Sequence, residues 1–451
     1  MRTLKGKEII KLNIKKKQLI QQNEKLIDIV RCYPDIERAL LAKYMGISLP
    51  TLANLISELK KANILLGKSI GSLQVGKDSL IINPDIGVYV GISIGASQIK
   101  VTIVNFDFSV WSQQEFDDKR GKCKLFEDKH YIQKENSSYG YVCVQTPNEY
   151  EELVDIIDII MSDCIKLDMA LKQINSGVIG IGFAITGAID NESKRIISSY
   201  NLDCLKNMTI SYDTLIFGNR LSYLNENNID LSFENIARAS IISEKYNLYN
   251  KNNINNRHKD KKNIACIYLG SGIGAGLILN NTLYRGTSNF SELGHIEVCD
   301  PDNISVPLPA DDCDAACMCG GKNCLEYKIR SKALGISFET FKHMSATKLK
   351  SSIDNDENKE DRLRLLGYYI GKATNTLVNI LNLDLVIFTG KLTVLMDELW
   401  KYLNPVIAAN TIAYTTKDCS IVVSSYGPLA PAIGAAMSSA NIISSEDMSW
   451  V

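Results

Sequence analysis

Apolar residues recur first with helical spacing and later with strand alternation, and the change of period divides the chain near residue 83. Residues 18–32 carry apolar side chains on one face of a predicted amphipathic helix. Pro34-Asp-Ile-Glu37 opens a second, which stops at Gly46, because glycine takes the left-handed helix-ending conformation at little cost. A third follows at once. Ser48 is a good N-cap, Pro50 sits in the first turn, and Leu52, Leu55, Ile56 and Leu59 form one buried stripe that leaves Thr51, Asn54 and Lys61 facing outward. Two short helices joined by a glycine-containing turn, then the apolar run Ile64-Leu65-Leu66 and the glycine-rich ribbon Gly71 to Ile82, describe a winged helix-turn-helix.

After the short linker Asn83-Pro-Asp-Ile86 the period falls to two. Gly87 to Gly95 and Ile99 to Asn105 alternate as two strands around a turn at Gly95. A second copy of this strand, glycine turn, strand design runs from Ile264 to Leu279, and such duplication fits two similar lobes with a ligand cleft between them. Between the copies lie an Ile- and Leu-rich helix near 150–172, a strand from Gly177 to Ala184, the turn Thr186 to Asp190, and a polar tract, Asn250 to Lys262, read as a solvated loop. Leu363 to Leu381 is predicted as a long helix, Leu385 to Gly390 and Ser420 to Ser424 as buried strands, and Gly434 as the start of a closing helix. The fold class is therefore α/β, with residues 1–83 as one domain and 84–451 as a two-lobed body.

Charge sharpens the division. The net charge of −1 hides an asymmetry, because residues 1–80 hold 15 Lys and Arg against 7 Asp and Glu, leaving 35 against 44 for the rest. A basic winged helix asks for an anionic partner, and operator DNA is the expected one. No apolar run approaches the roughly 20 residues that span a bilayer, and the basic start Met1 to Lys7 lacks the apolar core of a signal peptide, so a cytoplasmic protein away from membranes is expected. Twelve scattered cysteines fit reduced thiols and a metal site better than a disulfide framework.

The tightest cysteine cluster carries the chemistry. Ser291-Glu-Leu-Gly-His295 is followed by Cys317-Met-Cys319-Gly-Gly-Lys-Asn-Cys324-Leu-Glu326, so three thiols can close on one ion if His295 supplies the fourth ligand. Structural zinc is the expected ion. Cys299 and Cys313, in the span between His295 and Cys317, are alternative thiols.

These motifs, E-x-G-H and C-x-C-G-x-x-x-C-L-E, resemble the signature of the ROK family, which contains bacterial sugar kinases and sugar-responsive repressors. The resemblance implies an actin-like kinase body, zinc on His295, Cys317, Cys319 and Cys324, and sugar hydroxyls bound by Glu292, His295 and Glu326. Leu41 to Leu55 is similar to the DNA-reading segment of the repressors, with Asn54 where an Arg is common; with Ser48, Pro50, Thr51 and Lys61 it makes the expected DNA-binding set, and Asn favours adenine edges. The family's E-N-D-A-N segment matches Glu234-Asn235-Ile236-Ala237-Arg238, so Ile236 replaces the catalytic Asp while Asn235 is left to bind sugar. Ser93 stands where an acidic residue lies near the metal, Thr389-Gly390 where the family has Gly-Gly, and Thr186 where it has Pro.

The second glycine turn, Gly270, Gly272, Gly274 and Gly276, is intact as a phosphate turn and is read as vestigial if catalysis is lost. Ile236 has no atom that accepts a proton, and losing a general base costs about 10² to 10⁴ in rate. A sugar-responsive or sugar-phosphate-responsive homodimeric repressor with no catalytic residues is the expected function, and an ATP-dependent sugar kinase is the alternative.

Overall fold

The computed structural model describes residues 18–440 except 35, 70–77, 129–130, 132–137, 192, 200, 217, 251–252, 287–290, 303, 305, 309–315, 318 and 411–418. The tip of the expected wing and Cys313 thus lie outside the described residues.

Three helices, α1 (Glu24–Cys32), α2 (Arg38–Met45) and α3 (Leu49–Lys61), precede the antiparallel ribbon of β1 (Leu65–Ser69) and β2 (Asp78–Ile82). Gly46 closes α2 at φ 67°, in the left-handed region, and the Ser48 side chain caps α3 by accepting from the Thr51 N–H. Two boundaries differ from the sequence reading. The first helix breaks at Asn23, whose side chain donates to the Leu19 carbonyl, so α1 starts at Glu24. The second begins at Arg38 instead of Pro34, because the Ile36 N–H turns back to the Tyr33 carbonyl and Glu37 is extended.

The body contains two five-stranded sheets of the same design. In the first lobe β3 (Val88–Ile94), β4 (Gln98–Asn105), β5 (Tyr141–Gln145), β6 (Val178–Ile185) and β10 (Asp230–Asn235) lie in the order β5-β4-β3-β6-β10, and β7 (Ala188–Asp190), β8 (Arg195–Ser198) and β9 (Ile210–Ser211) form a small separate sheet. In the second lobe β11 (Ile264–Leu269), β12 (Ile273–Leu279), β13 (Thr282–Leu283), β14 (Leu385–Thr389) and β15 (Ser420–Val423) lie in the order β13-β12-β11-β14-β15. Each sheet is an antiparallel three-stranded meander extended by two parallel strands. The duplication read from the two glycine turns is therefore real at the level of topology, and the fold is that of an actin-like body behind an N-terminal winged helix.

Each lobe has its own core. Helix α4 (Tyr150–Lys172) buries Ile157, Ile160 and Met161 against the first sheet, and α6 (Lys359–Leu381) buries Leu366, Tyr369 and Ile370 against the second. Two further helices, α5 (Ile236–Tyr249) and α7 (Ala430–Ser438), cross between the lobes. Their backbones touch: a Cβ added to Gly434 would lie 1.7 Å from the Ala239 carbonyl oxygen, and one on Gly182 of β6 would lie 1.8 Å from that of Ala435. Helix α7 starts at Ala430, four residues before the sequence reading placed it, since Pro431 fits the first turn.

A third core binds the winged helix to this hinge. Leu26, Val30, Leu41, Leu52 and Ile56 share one apolar cluster with Phe106, Ile242, Tyr246 and Ile433. Asn83-Pro-Asp-Ile86 is a capped 3-10 turn with Ile86 buried. The polar tract Asn250 to Lys262 also departs from expectation: Asn255 and His258 are buried, and asparagine amides at 253, 255 and 256 donate to the carbonyls of Asn247, Val423 and Leu248. Its polarity serves the backbone of neighbouring segments as well as solvent.

Candidate metal centre and ligand cleft

Beyond β12 and β13 the chain reaches Glu292 and His295, and a later segment returns Cys317, Cys319 and Cys324 to the same place. The ligand atoms of His295 and these three cysteines all lie within 4.8 Å of one another. His295 Nδ1 is 3.4 Å from Cys317 Sγ, and Cys319 Sγ is 3.5 Å from Cys324 Sγ. Bonds of about 2.3 Å to sulfur and about 2.0–2.1 Å to nitrogen put the corners of a tetrahedral zinc site about 3.5–3.8 Å apart, so the donor set fits that ion. Cys299 is exposed and stands outside the cluster. The ten described cysteines are free thiols.

Because Nδ1 faces the sulfurs, the other ring nitrogen of His295 is directed to Glu292, with Nε2 3.8 Å from Oε2. Half of the Glu292 side chain remains open to solvent, yet burial of its carboxyl still pushes that group above the usual range while His295 opposes the shift. Glu326 is 6% exposed and its carboxyl is also pushed up by burial. It accepts from the Ile273 N–H at 2.8 Å and from Asn201 Nδ2 at 3.4 Å. Asn201 belongs to the first lobe and Glu326 to the second, so this contact spans the cleft.

Asn235 lies at the junction of β10 and α5. Its Oδ1 accepts from the Ala237 N–H and caps α5, and its Nδ2 donates to the Gly187 carbonyl. Ile236 follows at 5% exposure, packed with Ala184, Ala239, Ala435 and Tyr268. Glu234 pairs with Arg238 at 2.8 Å and with Arg285 of the second lobe at 2.6 Å, and the two cations outweigh burial and hold its carboxyl below the usual range. Lys342 to Asp203 and Gln145 to His343 are further ties between the lobes. The sequence carried no sign of the pairs that join the lobes, since their partners are far apart in the chain.

Beside these residues a small cleft is lined by Ser93, Gly95, Ile236, Tyr268, Gly270 and Lys391, among others. The glycine set divides here. Gly270 and Gly272 form the turn, whereas Gly274 and Gly276 lie within β12, where a Cβ on Gly276 would come within 2.4 Å of the Ala237 carbonyl. Those two glycines admit α5 to the sheet, so of the four expected turn glycines Gly270 and Gly272 lie in the turn and Gly274 and Gly276 in the strand.

At the other end of the chain, Ser48, Pro50, Thr51, Asn54 and Lys61 are all exposed, while Leu52, Ile56 and Leu59 of α3 are buried. Lys60 and Lys61 fill the last turn of α3. Among the described residues no single helix is long and apolar enough to cross a membrane.

Comparison with known proteins agrees with this geometry. The xylose repressor of Bacillus subtilis (strain 168) is 24% identical over 424 residues, covering 91% of this chain and 93% of the relative. A putative xylose repressor of Caldicellulosiruptor sp. (strain Rt8B.4) is 22% identical over 405 residues, covering 84% and 86%. Among solved structures, a ROK family transcriptional regulator described as a homologue of the E. coli MLC protein superposes with a TM-score of 0.63 at 15% identity, over 95% of this chain and 97% of that one. A ROK family glucokinase from Streptomyces griseus, in complex with glucose and AMPPNP, matches with a TM-score of 0.52 at 18% identity over 78% of this chain and 98% of its own. The profile described as ROK family matches residues 141–441, more than half of the sequence, and this chain belongs to the ROK family.

Proposed function

We propose that this chain is a sugar-responsive, DNA-binding transcriptional repressor. Residues 1–83 are the winged helix-turn-helix and residues 84–451 a sensing body that no longer phosphorylates. The observation that carries the reading is α3, capped by Ser48 and buried on one side, with Thr51, Asn54 and Lys61 presented to solvent. A helix so placed enters a major groove, and the lysines of its last turn meet backbone phosphates. Two copies related by two-fold symmetry set two such helices about 34 Å apart on a palindromic site.

In the body, Asn235, Glu292, His295 and Glu326 are the sugar-binding set, with charged acceptors worth about 1.5–3 kcal/mol each to buried hydroxyls. Relatives named xylose repressors make xylose the first sugar to try. Zinc on His295, Cys317, Cys319 and Cys324 is structural, because four protein ligands leave no open position for a reacting water. Its role is to fix the His295 ring so that Nε2 stays on the sugar side. Ile236 at the base position and Ser93 at the metal-side position support a body without phosphoryl transfer.

Helix α5 supports the link between the two ends. Its first turn, with Asn235 and Ile236, borders the cleft, and its last turn, with Tyr246 and Tyr249, touches α1 and Tyr33. A change of lobe angle that tilts α5 moves the winged helix with it. Footprinting on the protein's own promoter tests the reading, with two protected half-sites one helical turn apart and altered protection with xylose as the supporting result. Consumption of ATP with any hexose or pentose would favour the kinase instead.

A further inference from the structure

Two of the described ion pairs cross between the lobes, and they share one design. Glu234 is a buried charge of the first lobe, and Arg285, two residues past β13 of the second, meets its Oε1 through Nη1 at 2.6 Å with 29% of its own side chain exposed. Lys342 is a buried charge of the second lobe, and it donates to Asp203 of the first, whose side chain is 32% exposed. Each pair sets a buried charge of one lobe against a partly open charge of the other. Glu234 is already neutralised locally, because Arg238 in the first turn of α5 is itself buried and donates to its Oε2 at 2.8 Å. Arg285 is therefore surplus to charge balance at that carboxylate, and what it adds is a tie to the other lobe. Lys342 also donates to Asn148 Oδ1 of the first lobe at 3.4 Å, and His343 beside it meets Gln145 of β5 at 3.0 Å. Partly buried pairs of this kind are screened by salt less than surface pairs.

We propose that Arg285 and Asp203 are positioning residues whose ion pairs with Glu234 and Lys342 latch the two lobes closed before any ligand arrives. A ligand that needs groups from both lobes binds in proportion to the fraction of protein already closed, since the apparent dissociation constant is the intrinsic one divided by that fraction. The sugar set is of this kind. Asn235 ends β10 in the first lobe, one peptide from the Glu234 anchor, whereas Glu292, His295 and Glu326 belong to the second lobe. Neither Arg285 nor Asp203 is in that set, and each acts through the charge it holds across the cleft. The effect on sugar rests on the sugar-sensing reading given above; the latch itself does not.

The test is the distance between fluorophores carried by unnatural amino acids at Glu152 of α4 and Thr376 of α6, both exposed, in full-length chains diluted into unlabelled protein. The parent should give one narrow population without sugar and change little when xylose is added. Arg285→Gln with Asp203→Asn should broaden it toward longer distances, and Arg285→Lys with Asp203→Glu, which keep the charges, should restore it. Xylose affinity by calorimetry should fall about tenfold in the first pair of substitutions and return in the second. Both changes fall on the more open partner of each ion pair, and a cooperative melting transition shows that the variant is folded. Should the double variant not fold, Arg285→Gln alone, which leaves Glu234 with Arg238, carries the same expectation of longer distances. A parent that binds no sugar, with lobes that still part in the variant, would support the latch and end the sugar-sensing reading. A parent that is open without xylose and closes when it is added, or variants whose lobe distance matches the parent's whatever their sugar affinity, would overturn the latch.

Discussion

Tyr246 of α5 donates its hydroxyl to Asp28 Oδ1 of α1 at 2.7 Å, joining residues 218 positions apart in the chain. Arg31 reinforces the joint. Its guanidinium holds Asp28 at 3.2 Å, donates to the Phe106 carbonyl at 2.9 Å, and stacks 3.8 Å from the centre of the Phe108 ring, which itself packs edge-on against Tyr246. The winged helix is thus bolted to α5 and to the first sheet through one buried polar cluster.

Tyr246→Phe removes the hydroxyl and keeps the ring, so it isolates the polar part of this joint. A hydrogen bond to a buried charged group contributes about 1.5–3 kcal/mol, and stability should fall by roughly that amount. The sugar affinity and the DNA affinity measured separately should each stay within a few-fold of the parent. The expected loss is in coupling: the factor by which sugar changes DNA affinity should shrink toward one. A variant that keeps the full sugar response would remove α5 from the relay.

Metal analysis of the purified protein should give one zinc per chain. Cys317→Ser and Cys319→Ser should each lower the zinc content and the melting temperature, because metal binding free energy stabilises only the folded loop. Retention of a full equivalent of zinc in the double variant would move the site to other thiols.

Glu244 supplies a pH dependence. It is fully buried on α5, its Oε1 accepts from Ser424 Oγ, and burial, only partly offset by Ser424 and Asn247, pushes its carboxyl up to about 7. A carboxyl raised in the folded state binds more protons folded than unfolded between its two pKa values. Its contribution is therefore complete below the ordinary carboxylate range and is lost as pH rises through about 7. Between pH 5 and 8 the parent should lose on the order of 2–3 kcal/mol of stability that Glu244→Gln does not lose. Denaturant titrations of both proteins across that range check it, and parallel profiles would mean that Glu244 is ionised in the fold.

Much of this was legible in the sequence because the responsible chemistry is local. Ser48, Pro50 and Gly46 fix helix ends through their own caps and torsions, and the spacing of Cys317, Cys319 and Cys324 admits few uses other than a metal. The repeated strand and glycine turn at Gly95 and Gly270 foretold two sheets of one design. What the sequence hid depends on distant partners. Gly274 and Gly276 look like phosphate-turn glycines, and only the approach of Ala237 shows why they lack side chains. Asn253, Asn255 and Asn256 look like a solvated run until their carbonyl partners are in view. Lys391 follows Thr389-Gly390 with nothing in its neighbourhood to mark the cleft it enters, although a lone lysine just past a strand-ending glycine was the available sign. Arg285, Asn201 and Lys342 act across the lobes and had no local sign at all.

The most direct measurement is fluorescence anisotropy on a promoter fragment at fixed salt, with and without xylose, comparing the parent with Asn54→Ala and Glu292→Ala. Asn54 is exposed on α3 and Glu292 stands beside His295 more than two hundred residues later, so each variant removes one function and spares the other. Losing one base contact costs about 1–3 kcal/mol, so Asn54→Ala should weaken specific binding by roughly tenfold or more while sugar affinity stays that of the parent. Glu292→Ala should bind the fragment as the parent does and no longer respond to xylose. If both variants track the parent on DNA with and without sugar, or if the parent binds every DNA sequence equally, the chain is not a sugar-responsive repressor.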